Sequence, residues 1–296
     1  MSDPDDRPAR TDGGHPTAAH SRNSYPGDVW VNFVRWNVKA VRNPFVVVGS
    51  LVQPVIFLVL FTQVFGNVAT RALGNGGADL SYVTFLLPAI AMQVSLAAAA
   101  GSGIGLVNDI ENGMFEKVLV TPMRRSAVFL GKTAAELLRI VVQIAIVLVL
   151  GVLLGADVAT GFVGALGVVL VGILFSLWFV ALSNLFAVVT RDQESTIIGA
   201  NLLQFPLLFV STAFLPLDAM PGWIQTVATV NPVTYGVDAA RSLMLGRDVM
   251  TVVEVTGFGG VWNALVPALA VLFALDVALG GLAVYMLNRA SSSSVQ

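Results

Sequence analysis

Six long apolar segments constrain this chain more than any other feature of its sequence. They lie at residues 45–65, 82–107, 133–154, 162–189, 196–215 and 262–287. About 20 residues in an α-helix, at a rise of about 1.5 Å each, span the ~30 Å hydrocarbon core of a bilayer. The sequence therefore predicts an all-α membrane protein with six transmembrane helices.

Composition supports the same class and argues against several functions. Only 11% of the residues are charged, whereas soluble domains carry roughly 25%. The net charge of −2 argues against nucleic-acid binding, which needs a basic face. There is no cysteine, and both histidines, His15 and His20, precede the first span. We therefore expect no metal site and no catalytic residues in the spans, and in particular no metalloprotease helix.

The chain divides into two tails and one membrane domain. Residues 1–26 are rich in Asp, Arg, Pro, Gly and Ser, and a segment that buries so little apolar surface is expected to be disordered. No apolar stretch of signal-peptide length occurs in it. We predict a transmembrane domain at residues 27–290 and a short C-terminal tail at 291–296.

A charged amphipathic segment precedes the first span. Its apolar residues recur at three- and four-residue spacing, and its basic residues project elsewhere, which predicts an interfacial helix with basic groups at the lipid phosphates. Pro44 should end this helix and begin the first span. The residues expected to contact the interface are Trp30, Phe33, Arg35, Trp36, Lys39 and Arg42.

The distribution of Lys and Arg predicts the orientation. With six spans and a cytoplasmic N-terminus, 13 of the 16 basic residues fall on the cytoplasmic side. Only Arg71, Arg241 and Arg247 remain outside. By the positive-inside rule both termini are therefore cytoplasmic.

The long outer loop before the last span is apolar. Residues 221–230 and 234–245 both have helical spacing, but each is too short to cross the bilayer. Pro216, Pro221 and Pro232 interrupt the backbone between them. This pattern predicts a pair of re-entrant helices, whose irregular backbone must be covered by protein or line a cavity.

The inner loop at residues 109–131 is the most charged segment after the N-terminal tail. Charge at this density belongs in water, and the loop also carries Met114, Phe115, Val118 and Leu119. We interpret it as a surface on which a soluble partner pushes. The nearby sequence Leu-Gly-Lys-Thr at 130–133 is not a Walker A loop, because Ser126 occupies the position of its first glycine. Lys132 is expected instead to reach the membrane surface.

Polar residues within the spans are candidates for a transport pathway. They are Gln93, Asn201, Gln204, Pro206 and Asp276. Pro206 can kink the fifth span, and Asp276 lies near the centre of the last. For the amide side chains, and for Asn184, a hydrogen bond between helices is the favoured interpretation. The alternative for Asp276 is a protonated or hydrogen-bonded acid that faces a neighbouring helix. Gly101, Gly105, Gly151 and Gly155 are expected to mark close helix contacts.

Two motifs resemble one family. Residues 111–122, E-N-G-M-F-E-K-V-L-V-T-P, are similar to the cytoplasmic signature of ABC-2 type exporter permeases. Residues 228–241, A-T-V-N-P-V-T-Y-G-V-D-A-A-R, resemble the outer motif that precedes their last span. The order of elements agrees from about residue 30 to residue 288, and the subgroup that the chain most resembles is the daunorubicin-resistance-like permeases.

The resemblance implies a permease that dimerises and docks on two copies of a separate ATP-binding subunit, which would hold ATP and Mg²⁺. Asn231, Pro232, Tyr235, Asp238 and Arg241 would then close the outer end of the pathway, or serve only loop packing. The residues implied to couple to the ATP-binding subunit are Glu111, Gly113, Met114, Phe115, Glu116, Lys117, Val118, Leu119, Thr121 and Pro122.

Three alternatives stay open at the level of sequence. An ion-driven transporter would need paired acids in the membrane, and only Asp276 is available. An intramembrane enzyme would need a nucleophile and a base, and the spans contain no histidine. An ABC-2 subunit could also act in assembly or in self-protection against a natural product, rather than in general drug export.

Overall fold

The computed structural model of this protein describes residues 24–42, 44–74, 81–111, 113, 125–250, 252–253 and 256–293. Over these residues the chain forms nine α-helices and one short 3-10 helix at Leu217–Ala219, with no strand among them. The α-helices are α1 (Tyr25–Arg42), α2 (Pro44–Gly74), α3 (Tyr82–Glu111), α4 (Arg125–Leu153), α5 (Gly161–Thr190), α6 (Gln193–Phe209), α7 (Gly222–Ala228), α8 (Pro232–Leu245) and α9 (Trp262–Ser293). The prediction of an all-α membrane protein is confirmed.

Five described helices are long and apolar enough to cross a membrane, namely α2, α3, α4, α5 and α9. The fifth predicted span, at residues 196–215, coincides with α6, which has only 17 residues. At about 1.5 Å per residue it reaches about 26 Å, less than the ~30 Å core. Its chain continues as turns beyond Phe209, so the count of six spans stays a prediction.

Helix α3 is the centre of the bundle. In its most apolar stretch 94% of the residues are buried, against 17% in α2 and in α9. It packs on α2, α4, α5, α6 and α8. A displacement of either end of α3 therefore acts on most of the other helices.

Local sequence explains where several helices begin and end. Arg42 ends α1 and Pro44 begins α2, as expected. Asp192 caps α6 by accepting a hydrogen bond from the Ser195 N–H at 2.7 Å, which satisfies one of the free donors of a helix start. Arg191 ends α5 in the left-handed conformation with φ 51°.

The two predicted short helices after α6 are present as α7 and α8, with 7 and 14 residues. Helix α8 is buried on nearly every side, from Val233 to Ser242, and it packs on α3, α5 and α9. Its polar side chains therefore lie inside protein. That these helices re-enter the outer leaflet stays a prediction.

Helix α1 is amphipathic, and its polarity is inverted relative to a helix on a soluble protein. Its buried residues are Asp28 and Asn32. Its exposed residues include Trp30, Val34 and Val41, the first with 63% of its surface accessible. An exposed apolar stripe on a helix that also carries basic residues fits a position at the membrane interface.

Candidate functional site

Two polar clusters lie at opposite ends of α3. Arg241 contacts Phe85 near the beginning of the helix, and Arg35 contacts Asp109 near its end. The 24 residues between Phe85 and Asp109 correspond to about 36 Å of helix. We call the two regions the Arg241 end and the Glu111 end.

The Arg241 end is built around an ion pair inside α8. Arg241 Nη1 lies 3.4 Å from Asp238 Oδ1, and the exposed fractions of the two side chains are 3% and 0%. The Thr212 hydroxyl donates to the same Asp238 oxygen at 2.8 Å. A buried pair is tolerable only when further hydrogen bonds satisfy its remaining groups, and here the neighbouring backbone supplies them.

Arg241 also holds the backbone of two other elements. Its Nη2 donates to the carbonyl oxygen of Thr212 at 2.9 Å, and its Nε donates to that of Phe85 at 3.3 Å. The guanidinium carbon lies 3.9 Å from the centroid of the Phe85 ring, within the range of a cation–π interaction. One side chain thus joins α8, α3 and the turns that follow α6.

Asn231 closes the same region from the other side. Its side-chain oxygen accepts from the Val233 N–H at 3.0 Å and caps α8, with Pro232 in the first turn. Its Nδ2 donates to the carbonyl oxygens of Leu207 and Val210 at 2.6 and 2.8 Å. These carbonyl groups at the end of α6 would otherwise lack partners. Helix α6 thus ends at Phe209, and the outer motif supplies hydrogen bonds to carbonyl groups at that end.

Two further polar residues of the outer motif differ: Tyr235 is engaged, whereas the buried Thr234 hydroxyl has no hydrogen-bond partner among the described residues. The Tyr235 hydroxyl donates to the Thr229 carbonyl oxygen at 2.8 Å. The structure thus places Asn231, Pro232, Tyr235 and the Asp238–Arg241 pair together, with each polar side chain bound inside the protein. This geometry favours packing and capping over contact with cargo.

The Glu111 end contains a second buried network, between α3, α4 and α5. Lys132 Nζ lies 3.0 Å from Glu136 Oε1, and it donates to the Ser102 carbonyl oxygen at 2.9 Å and to Asn184 Oδ1 at 3.3 Å. The expectation that Lys132 reaches the membrane surface is wrong, because its ammonium group is held inside by these acceptors. The interhelical hydrogen bond expected of Asn184 is confirmed.

Helix α1 docks onto α4 at a glycine. A Cβ atom on Gly131 would lie 2.6 Å from the Val29 carbonyl oxygen, so only glycine allows this approach of the two backbones. Arg35 of α1 also binds Asp109 of α3, with Nη2 3.1 Å from Oδ2. Gly131 and Lys132, which suggest a nucleotide-binding loop in the sequence, thus serve helix docking and a buried ion pair.

The remaining residues predicted for the interfacial helix divide between two environments. Lys39 and Arg42 are exposed, whereas Phe33 is half-buried. Trp36 is also half-buried and faces the bundle, where its ring lies 3.1 Å from the position of a Cβ on Gly105. Trp36 therefore faces the bundle and Arg35 binds Asp109, while contact of α1 with lipid stays a prediction. Contacts with α3 decide where these two side chains lie, and the helical spacing of apolar residues in α1 does not show these contacts.

Glu111 is exposed at the last residue of α3. It accepts a hydrogen bond from Gln193 Nε2, and Gln193 also donates to Asn108 at 3.2 Å. Helix α6 therefore begins against the end of α3. In this turn the hydrogen bond from the Ser195 N–H lowers the pKa of Asp192, so the α6 cap stays ionised to a lower pH than a free aspartate does.

Most of the predicted coupling residues lie outside the described residues: Met114, Phe115, Glu116, Lys117, Val118, Leu119, Thr121 and Pro122. Gly113 is described, with a positive φ of 62°. This conformation suits glycine and marks a turn at Gly113.

The candidate pathway residues do not form one cluster. Gln93 and Gln204 are buried, whereas Asn201 and Pro206 are exposed on α6. Helix α6 continues through Pro206. Both carboxylate oxygens of Asp276 are buried and lack a hydrogen-bond partner within the part of the chain that the structure describes.

Sequence reasoning missed the network of Ser102, Lys132 and Glu136. The signal was available, because Lys and Glu four residues apart share a helix face. It was not used because Lys132 and Glu136 could also lie at a membrane surface at a low cost in free energy. Gly131 was also missed as a contact, whereas Gly105 and Gly151 do lie against neighbouring side chains as expected and Gly155 faces open space.

Comparisons with known proteins identify the family. The ABC-2 type transporter family matches residues 27–245. The chain is 31% identical over 203 residues to the daunorubicin resistance ABC transporter permease protein DrrB1 of Streptomyces coeruleorubidus, covering 69% of this chain and 70% of that protein.

Two further relatives agree with this assignment. The probable doxorubicin resistance permease DrrC of Mycobacterium tuberculosis is 27% identical over 217 residues, which cover 73% of this chain and 75% of the relative. The probable multidrug permease YbhR of Escherichia coli is 24% identical, over 65% of this chain and 50% of the relative. The chain therefore belongs to the ABC-2 type transporter family.

Proposed function

We propose that this chain is the transmembrane permease subunit of an ATP-driven exporter that moves amphipathic or lipid-like cargo out of the cell. The observation that carries the proposal is its match to permeases named for daunorubicin and doxorubicin resistance. The apolar character of the spans supports it, because walls with few polar groups suit such cargo better than ions. The chain would lie in the cell membrane with both termini in the cytoplasm.

ATP binding and hydrolysis belong, in this proposal, to a separate subunit present in two copies. The sequence supports this division because the Leu-Gly-Lys-Thr segment lacks the first glycine of a Walker A loop. ATP and Mg²⁺ would bind to the partner. This chain would contribute no catalytic residue.

Glu111 is the described residue best placed to receive force from that partner. It is exposed, it ends the central helix α3, and it is hydrogen bonded to Gln193 at the beginning of α6. A push at this point would move α3 and α6 together, because packed helices shift as rigid bodies. The remaining coupling residues, from Gly113 to Pro122, would complete the docking surface.

A second permease chain, in a homodimer by this proposal, fits the exposed face of α6. Asn201, Leu202, Phe205 and Phe209 are all exposed on this helix. An asparagine facing lipid would leave its amide without partners, which is costly in hydrocarbon. A facing copy of α6 would cover both the amide and the aromatic rings.

Cargo would pass between the two protomers, where Asn201 and Pro206 are exposed. Gln93, Gln204 and the carboxylate oxygens of Asp276 are buried in the protomer and would become candidate contacts when the helices move apart. Asp276 is the sharpest of these because its carboxylate has no hydrogen-bond partner among the described residues. Asp276→Asn should change the transport rate and its dependence on pH if the acid contacts cargo. Transport by the variant that equals the unsubstituted protein at every pH would assign Asp276 to packing.

The coupling proposal is tested by charge reversal at Glu111. Glu111→Lys, co-expressed with the ATP-binding subunit, should abolish the stimulation of ATP hydrolysis by cargo, because it removes the contact to Gln193 and presents the partner with the opposite charge. The matched control is Asp218→Lys, an exposed acid of the 3-10 helix beyond α6, which should leave the stimulation intact. Normal stimulation in Glu111→Lys would contradict the proposal.

The alternative function is an ion-driven secondary transporter, for which the unpaired Asp276 is the only supporting feature. Transport by the chain alone, in vesicles without ATP but with a proton gradient, would favour that alternative. The exporter proposal predicts no transport under these conditions.

A further inference from the structure

A cavity of about 290 Å³ lies at the Glu111 end, between α1, α3 and α4. Residues that line it include Trp36 and Lys39 from α1, Gly105 and Asn108 from α3, and Glu136 and Arg139 from α4. This volume is at the lower limit of small-molecule sites. It accommodates a compact polar group rather than a whole drug or lipid.

The charges around the cavity are unequal. Glu136 lines it but already binds Lys132 at 3.0 Å, and the nearby Asp109 already binds Arg35. Lys39 and Arg139 remain on the lining, and neither forms an ion pair with a described acid. The cavity therefore presents an excess of positive charge.

Two hydrogen-bond donors in the lining lack acceptors. Trp36 Nε1 and Arg139 Nε are buried and have no hydrogen-bond partner in the described ranges. Arg139 is nevertheless held in place, since its Nη2 donates to the Ala98 carbonyl oxygen at 3.0 Å. Buried donors without partners are rare, and each disfavours the empty state. An oxygen-rich anion in the cavity would offer an acceptor to each once its side chain turns toward the cavity.

The sides of the cavity formed by α3 and by α1 have fixed shapes. Gly105 forms part of the α3 side, and a Cβ there would lie only 3.1 Å from the Trp36 ring of α1. The ammonium group of Lys39 lies 4.7 Å from the centroid of the same ring, which orients the charge beside the cavity. The exposed apolar stripe of α1 places the α1 side of the cavity at the membrane surface, where lipid headgroups are abundant.

We propose that this cavity binds the phosphate group of an anionic phospholipid headgroup, with Arg139, Lys39 and Trp36 as its donors. Phosphate oxygens accept charge-assisted hydrogen bonds, which are stronger than neutral ones. The bound headgroup joins α1 to α3 and α4 beside the coupling surface. The site needs neither cargo nor ATP, so it can be tested independently of the exporter proposal.

The experiment uses the full chain, purified in detergent and depleted of lipid. Dioleoyl phosphatidylglycerol, dioleoyl phosphatidylcholine or inorganic phosphate is added at equal ionic strength. Native mass spectrometry counts the bound molecules, and thermal unfolding measures the stabilisation that accompanies binding. Phosphatidylglycerol should bind at one high-affinity site and raise Tm, and phosphatidylcholine should bind more weakly because its choline is cationic.

Two substitutions and one control locate the site. Arg139→Gln and Lys39→Gln should each weaken phosphatidylglycerol binding about tenfold, since each removes one charged donor. Lys39 is exposed, so its substitution should not impair folding. Arg247→Gln removes the same charge from an exposed residue beyond α8 that is not among the lining residues, and it should change affinity less than about twofold, as expected for a charge in water away from the site.

The outcomes separate the possible occupants. Stabilisation by phosphatidylglycerol but not by inorganic phosphate assigns the site to a lipid, and equal stabilisation by inorganic phosphate keeps the phosphate site with a soluble occupant. The proposal is overturned if neither binds. It is also overturned if Arg247→Gln weakens binding as much as Arg139→Gln, or if phosphatidylcholine binds as tightly as phosphatidylglycerol.

Discussion

The two ends of α3 carry polar clusters of similar composition but different completeness. At the Arg241 end, Asp238, Arg241, Asn231 and Tyr235 all find partners inside the protein. At the Glu111 end, the Lys132–Glu136 pair is buried and satisfied. However, the Arg35–Asp109 pair is partly exposed, Glu111 itself is exposed, and side chains that line a cavity contain donors without acceptors.

The difference shows which end is fixed and which end is available. A buried network whose charged groups are satisfied rigidifies its surroundings, and at the Arg241 end it holds α6, α8 and α3 together, although the buried Thr234 hydroxyl lacks a hydrogen-bond partner among the described residues. An incomplete cluster at a surface can gain free energy only from something added, such as a partner or a ligand. Movement is therefore expected to originate at the Glu111 end and to pivot on the Arg241 end.

The largest expected effect tests the fixed end. Asp238→Ala leaves the Arg241 guanidinium buried without its carboxylate, and loss of one member of a buried pair costs about 3–5 kcal/mol. Unfolding in detergent, followed by intrinsic fluorescence, should show this loss of stability. The double variant Asp238→Ala/Arg241→Met should recover part of it. A destabilisation below about 1 kcal/mol would contradict the description of this end as a tightly bound network.

An intermediate effect tests the docking of α1. Gly131→Ala introduces a Cβ that would lie 2.6 Å from the Val29 carbonyl oxygen, and such overpacking costs about 1–3 kcal/mol. Hydrogen exchange in residues 25–42 should accelerate, while exchange in α8 should not change. Gly49→Ala is the matched control, because a Cβ there meets no atom within 4 Å. Equal exchange in both variants would show that α1 is not held at Gly131.

The smallest effect is expected at the partly exposed pair. The side chains of Arg35 and Asp109 are 35% and 13% exposed, and pairs of this kind contribute about 0–1 kcal/mol. Arg35→Gln should therefore barely change the stability measured by chemical unfolding. If it costs as much as Asp238→Ala, the two ends are equally fixed and the contrast between them is lost.

Elements that depend on local pattern could be predicted from the sequence. The apolar segments predict the five long helices, and Pro44, Pro221 and Pro232 predict breaks that the structure contains. Asn231 followed by proline is a typical helix start, and α8 begins there. These signals are local, so the chain alone expresses them.

Features that depend on tertiary contact could not be predicted in the same way. Lys132 is apolar in its stem and charged at its tip, so its direction depends on Ser102 and Asn184 from two other helices. Trp36 and Arg35 face the bundle for the same reason. The end of α6 at Phe209, before the predicted span is complete, depends on Asn231 and Arg241, which lie more than 20 residues further along the chain.

The most direct test of the account asks which side of the membrane carries Glu111 and what covers it. The chain contains no cysteine, so Glu111→Cys provides a single site for a membrane-impermeant maleimide. We predict labelling in inside-out vesicles, none in intact cells, and protection when the ATP-binding subunit is bound. Labelling of intact cells, or labelling that the bound subunit does not reduce, would contradict the account.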